Sequence, residues 1–269
     1  MIWLRWVSSK STCQTMIIDP SLLSPPEKLL WLSGVRKASH INLETIANQY
    51  GAIVKYRQLD GCAARLVSIG EQSVISVGHN PSAGRERFSL GHEIAHLVCD
   101  KNTGSFKCSK DDISPRNAEA KSVEAYANNF ASQLLLPDYL VNPWMQGKKT
   151  TLDVAANLAS EFESSRTAAA IKVVKRAASP ACLVCHSQRG RVWFQKNTKF
   201  PFDFFIAEQL HQETYAFQMA FGQTTGLSRP KKEPANYWLS GKDCFRLMVE
   251  SQSMKLPDGN VLTLVSCVV

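Results

Sequence analysis

The run His92-Glu93-Ile94-Ala95-His96 sets two imidazoles four residues apart, with a carboxylate beside the first. On a helix, residues four apart lie one turn above each other, so both rings aim at one point. Two of the ligands of a tetrahedral zinc ion are held in that way. Glu93 stands where a carboxylate can take the proton of a water held by the metal. The surroundings favour a helix. Arg85 to Cys99 contains no proline, and Phe88, Leu90, Ile94, Ala95, Leu97 and Val98 enclose the histidines in apolar sequence suited to a buried metal.

A catalytic zinc needs a third protein ligand and one open position. A third His six residues after the second, beyond a glycine turn, is excluded. Asn102 occupies that place, and Cys99 stands where the glycine belongs. The remaining common solution is a carboxylate from a following helix. Residues 117–135 form a strong helix candidate that Pro137 stops. Its small residues Ala120, Ala127, Ala131 and Ser132 allow a close approach to the His helix. Glu124 shares the stripe of Ala120, Ala127, Asn128 and Ala131, which makes it the expected third ligand. Taken without the histidines it reads as a solvated helix carboxylate. Glu119 lies nearer the first turn, where a negative charge already favours the helix N-terminus.

Two segments carry a family resemblance: Arg87-Phe-Ser-Leu-Gly-His92-Glu93-Ile-Ala-His96, and Glu124-Ala-Tyr-Ala-Asn-Asn-Phe130-Ala131-Ser-Gln-Leu-Leu-Leu136-Pro137. Together they resemble the ImmA/IrrE metallo-endopeptidases, clearly from Asn42 to Pro137 and more weakly from Leu152 to Arg176. The resemblance implies a gluzincin-like zinc protease, with manganese as the alternative ion. It implies that His92, His96 and Glu124 bind the metal and that Glu93 is the catalytic base. It also implies a protein substrate, a helix-turn-helix repressor cut at one site to switch on silenced genes. His79 and Tyr126 are candidates for stabilising the oxyanion, although Tyr126 is only two positions from Glu124 and so points elsewhere on that helix.

The elements that must position these residues give an α+β chain. Residues 1–24 read as an unstructured extension, with Met16 opening more domain-like sequence. A zincin-like domain follows over 25–145. In it Asn42 caps a helix through Gln49, and Gly51 ends that helix. β-like runs at Ala52–Leu59, Ala63–Ile69 and Ser73–Val77, punctuated by Gly61, Gly70 and Gly78, give a small sheet beside the His helix and the Glu helix. The edge of that sheet can line the cleft and accept an extended peptide as a further strand. Residues 150–178 hold a helix-turn-helix-like pair, Leu152–Phe162 and Arg166–Ala177. An α+β module over 179–269 has strands at Ala181–Cys185, Arg191–Phe194, Phe245–Glu250 and Val261–Val268, and a helix around Phe204–His211.

Composition adds exclusions. With 44% hydrophobic and 20% charged residues the chain is ordinary for a globular protein. No apolar stretch is long enough for a bilayer, and the first residues are too polar for a secretory signal, so a cytoplasmic location with no membrane contact is expected. The eight cysteines are then expected as thiols. Cys182 and Cys185 have the spacing of a redox or zinc pair, but a strand points positions three apart to opposite faces. Cys99 and Cys108 flank the loop after the His helix, and nothing demands that they pair. The net charge of +8 is spread evenly: residues 1–150 carry 17 Lys+Arg against 13 Asp+Glu, and residues 151–269 carry 14 against 10, +4 in each part. A basic chain attracts acidic partners weakly without specifying nucleic acid.

Two functions compete. One is the endopeptidase. The other is a DNA-binding regulator using residues 151–177, whose second helix carries Arg166, Lys172, Lys175 and Arg176, with a degenerate or structural metal site. The turn between those helices lacks glycine and the basic charge is not concentrated, so direct DNA binding is not expected. The intact Glu93 favours the peptidase, because a structural site has no use for a base beside its first ligand.

Overall fold

The computed structural model describes residues 18–70, 72–80, 82–99, 106–109 and 118–267, with backbone alone at 106–109 and 118–121. The chain is α+β, and its order is α1 (Pro25–Leu32), α2 (Leu43–Gln49), β1 (Ala52–Arg57), β2 (Cys62–Ile69), β3 (Gln72–Gly78), α3 (Ala83–Cys99), β4 (Phe106–Ser109), α4 (Ala118–Leu135) and α5 (Asp138–Met145). There follow α6 (Leu152–Glu161), α7 (Arg166–Arg176), β5 (Ala181–Ser187), β6 (Gly190–Lys196), β7 (Phe205–Ile206), α8 (Tyr215–Phe221), β8 (Lys231–Pro234), β9 (Leu239–Ser240), β10 (Met248–Lys255) and β11 (Val261–Cys267). Two compact units divide these elements. One runs to Trp144 and takes in Glu161–Ser164; the other comprises Met145–Ser160 and Ser165–Val269.

In the first unit the sheet order is β1-β3-β2-β4, with β1 parallel to β3 and the other pairs antiparallel. Local chemistry sets its boundaries. The Asn42 side chain accepts from Thr45 N–H at 2.8 Å and opens α2. Gly51 at φ +83° and Gly70 at φ +61° turn the chain where an L side chain would strain it. Helix α3 lies on β2 and β3, burying Leu90 and Ile94 with Ile75 and Leu66. Glu27, buried, accepts from Ser24 N–H at the start of α1 and from Tyr139 N–H in the first turn of α5. One carboxylate thereby satisfies backbone donors of two helices.

The second unit is built on a five-stranded sheet in the order β6-β5-β11-β10-β8. Its core includes Val184, Met219, Trp238, Val249 and Val261. Helix α7 packs on β5, β6 and β11, burying Ala169, Ala170, Val173 and Val174. Helix α6 is tied by Gln252, whose amide accepts from Leu152 N–H at 2.7 Å and donates to Asp153 at 2.7 Å.

Most expected elements are present within a residue or two, and the differences have physical causes. The helix expected around Phe204–His211 is absent. Phe205–Ile206 pair with Leu239–Ser240 instead, and Ala207 N–H donates to Trp238 carbonyl, so long-range pairing overrides the local pattern. The helix forms later, at Tyr215, where Thr214 accepts from Phe217 N–H and caps it. The strand expected from Phe245 begins at Met248, because Cys244–Arg246 form a 3-10 turn. Of the extension expected at 1–24, residues 1–17 lie outside the described residues, and Pro20–Leu22 form a 3-10 turn capped by Asp19. Cys182 and Cys185 are both buried in β5; burial pushes their thiols up to about 12 and about 11, which keeps them protonated and inert. The side chain of Cys108 lies outside the described residues.

Candidate metal centre

Helix α3 supplies His92 and His96 one turn apart, and their Nε2 atoms approach to 3.2 Å. Helix α4 brings Glu124 to them. Its Oε2 lies 3.1 Å from His92 Nε2 and its Oε1 3.5 Å from His96 Nε2. Among the described residues these three form the one cluster of His, Cys, Asp or Glu groups whose ligand atoms all lie within 4.8 Å of one another. Glu93, fully buried, is not part of that set.

The close approach of the two helices rests on small residues. A Cβ placed on Gly91 would lie 3.4 Å from the Ala131 Cβ, ordinary contact with no slack beyond it. Ala127 and Ala131 are buried in the same seam, as the stripe predicts. The side chain of Ala120 lies outside the described residues, as does that of Glu119. Gly91→Ala should therefore be tolerated and gain up to about 1 kcal/mol of helix propensity. Gly91→Leu should wedge the helices apart, costing about 1–3 kcal/mol. Thermal unfolding of the two variants checks this; equal losses would show that the seam is not tight.

The donor set fits a tetrahedral divalent ion. With metal–ligand bonds of about 2.0–2.1 Å, neighbouring tetrahedral ligands stand about 3.3–3.4 Å apart; the two imidazole nitrogens are 3.2 Å apart, and the Glu124 carboxylate meets His92 through Oε2 at 3.1 Å and His96 through Oε1 at 3.5 Å. Two imidazoles and a carboxylate are also the ligand types such an ion takes. His96 is almost fully buried, whereas the Glu124 side chain is 25% exposed, so the cluster opens to solvent on the Glu124 side.

One partner of the cluster was not assigned a role by spacing. Asn128 Oδ1 lies 3.1 Å from His92 Nδ1. An amide oxygen accepts, so Nδ1 carries the proton and Nε2 is left to face Glu124 and His96. Asn128 follows Glu124 by one turn, and that spacing was the available signal. Burial first, and His96 second, hold His92 below its ordinary pKa, which favours the neutral ring that binds metals. Removing the orienting group, Asn128→Ala, should weaken metal affinity about 10–100-fold while leaving the fold intact. Titration with a metal-competing chelator reads this directly.

The two oxyanion candidates have partners outside the ligand set. His79 is exposed, with Nδ1 3.8 Å from Glu86 Oε1. The Tyr126 phenol is hydrogen-bonded to Cys99 and pushed above its ordinary pKa, chiefly by burial.

An α+β chain whose two packed helices converge His92, His96 and Glu124 has the ligand set of a metal-dependent hydrolase class. Residues 40–173 match the IrrE N-terminal-like domain that defines the Peptidase_M78 family, and the chain belongs to the ImmA/IrrE family across those residues. A solved structure of a Mycobacterium tuberculosis transcriptional regulator is similar in fold, with a TM-score of 0.56 at 14% identity over 90% of this chain and 74% of that one. No curated protein matches the chain.

Proposed function

We propose that the chain is a zinc-dependent endopeptidase that cuts a helix-turn-helix repressor at one site. The observation that carries the reading is the convergence of His92, His96 and Glu124, with a buried carboxylate, Glu93, adjacent in sequence to the first of them. His92, His96 and Glu124 would hold a divalent ion, which would supply Lewis acidity there. Glu93 takes the proton of the attacking water and returns it to the leaving amide nitrogen. The hydrogen bond from His92 Nδ1 to Asn128 keeps the ring aligned through that exchange. Among the described residues strand β4 pairs on one side, against β2, and its other side can receive an extended substrate segment. The scissile bond then belongs in a linker or a locally unfolded stretch. Among the described residues no helix is long and apolar enough to cross a membrane.

The competing reading, direct DNA recognition through α6 and α7, is less well supported. Lys172 is buried in α7 together with Val173 and Val174, leaving little of that helix for a groove. The test incubates the intact chain, loaded with zinc or manganese, with the helix-turn-helix protein encoded nearest to its gene. A single cut, absent in Glu93→Gln, is the expected result. Broad digestion of casein with no preference for the repressor would replace this reading with a general protease. Sequence-specific DNA binding that survives near-physiological salt would promote the regulator.

A further inference from the structure

The first unit contains a cavity of about 360 Å³ that the metal cluster does not use. Helix α3 gives it one wall through Glu86 and Ser89, and the opposite wall comes from the start of β2 and the end of β3, including Cys62, Gly78 and His79. Those two strands are pressed together there: a Cβ on Gly78 would meet the Ala63 carbonyl at 3.1 Å. Ala63 is also the extra residue of a bulge between Cys62 and Ala64, a device that ends regular pairing and re-aims side chains.

The position of the cavity follows from helix geometry. Ser89 precedes His92 by three residues and Glu93 by four, so it shares their strip of α3, and Glu86 lies one turn further back. At 1.5 Å per residue, Glu86 and His92 are separated by about 9 Å along the axis. An extended peptide advances about 3.3 Å per residue. That axial spacing equals two or three residues of an extended peptide.

Its chemistry is that of a weakly guarded carboxylate. Glu86 is the one acidic group among the described lining residues, and its side chain is 21% exposed. Its Oε1 accepts from Asn80 N–H at 2.6 Å and faces His79 Nδ1 at 3.8 Å. The His79 side chain is 68% exposed and can swing aside at little cost. The neighbouring cation Arg87 is directed to the Ile41 carbonyl at 3.2 Å and does not line the cavity.

We propose that this cavity is the subsite for one cationic side chain, arginine or lysine, of the peptide cut at the His92–His96–Glu124 cluster, an assignment that rests on the endopeptidase reading. The guanidinium or ammonium displaces His79 and donates a charge-assisted hydrogen bond to the Glu86 carboxylate. The chain as a whole carries +8 and repels cationic peptides, so a preference for them isolates a local acidic site.

The experiment measures equilibrium binding to the full-length Glu93→Gln protein loaded with zinc. The probes are fluorescein-labelled twelve-residue peptides of alanine, glycine and serine with one central arginine, citrulline or glutamate. The arginine peptide is expected to bind about tenfold tighter than its neutral citrulline isostere. Adding Glu86→Gln should erase that difference, and Glu86→Arg should turn the preference toward the glutamate peptide. Thermal unfolding and metal content of each variant identify any that has lost its fold. Equal affinity for arginine and citrulline, or a preference that survives Glu86→Gln, overturns the assignment. Hydrolysis is read separately: wild type that binds the arginine peptide and never cuts any substrate sinks the endopeptidase reading while the subsite stands.

Discussion

Glu93→Gln should keep one metal ion per chain and an unchanged melting temperature, yet lose about 10²–10⁴-fold in hydrolysis. The two side chains have the same shape, so the fully buried site at position 93 is not repacked. The amide has no basic lone pair and cannot take a proton from water. Because Glu93 is outside the cluster of ligand atoms, its loss should not alter metal affinity. Elemental analysis and repressor-cleavage rates on the same preparation separate the two effects. Turnover within a few-fold of wild type would sink the mechanism.

The second large effect concerns the ligands. His96→Ala and Glu124→Ala should each lower metal occupancy to background at micromolar zinc, since two donors do not close a tetrahedral site. The stabilisation that binding provides disappears with it. At a metal concentration a thousandfold above Kd that contribution is about 4 kcal/mol, so wild type treated with a chelator should melt near Glu124→Ala. His96 also sits at 1% exposure, and its truncation adds a core cavity that Glu124→Ala does not, making the histidine variant the less stable of the two. Glu119→Ala is the internal control. Full occupancy in Glu124→Ala together with loss in Glu119→Ala would move the third ligand to position 119.

Sequence alone determined what depends on short spacing. The interval of four between His92 and His96 places both rings on one face of any helix containing them. The stripe of Glu124, Ala127, Asn128 and Ala131 likewise needs only helical periodicity, and the close contact of Gly91 with Ala131 makes use of its small residues. Asn42 and Gly51 marked the ends of α2 because capping and left-handed backbone are local chemistry.

Tertiary structure decided what depends on residues far apart in the chain. Asn128 is an undistinguished helix residue until the packing of α4 on α3 brings it to His92, 36 positions away. Phe205 and Ile206 form a strand because Ser240 and Leu239 offer a partner, a pairing invisible in the local pattern that favoured a helix. Lys172 looked like a basic residue of a recognition helix, and the side of α7 that it occupies is buried. The cavity at Glu86 exists only because the starts and ends of β2, β3 and α3 converge. Periodicity fixes which face a side chain occupies; packing fixes what that face meets, because the free energy of burial and pairing is set by the partner as much as by the residue.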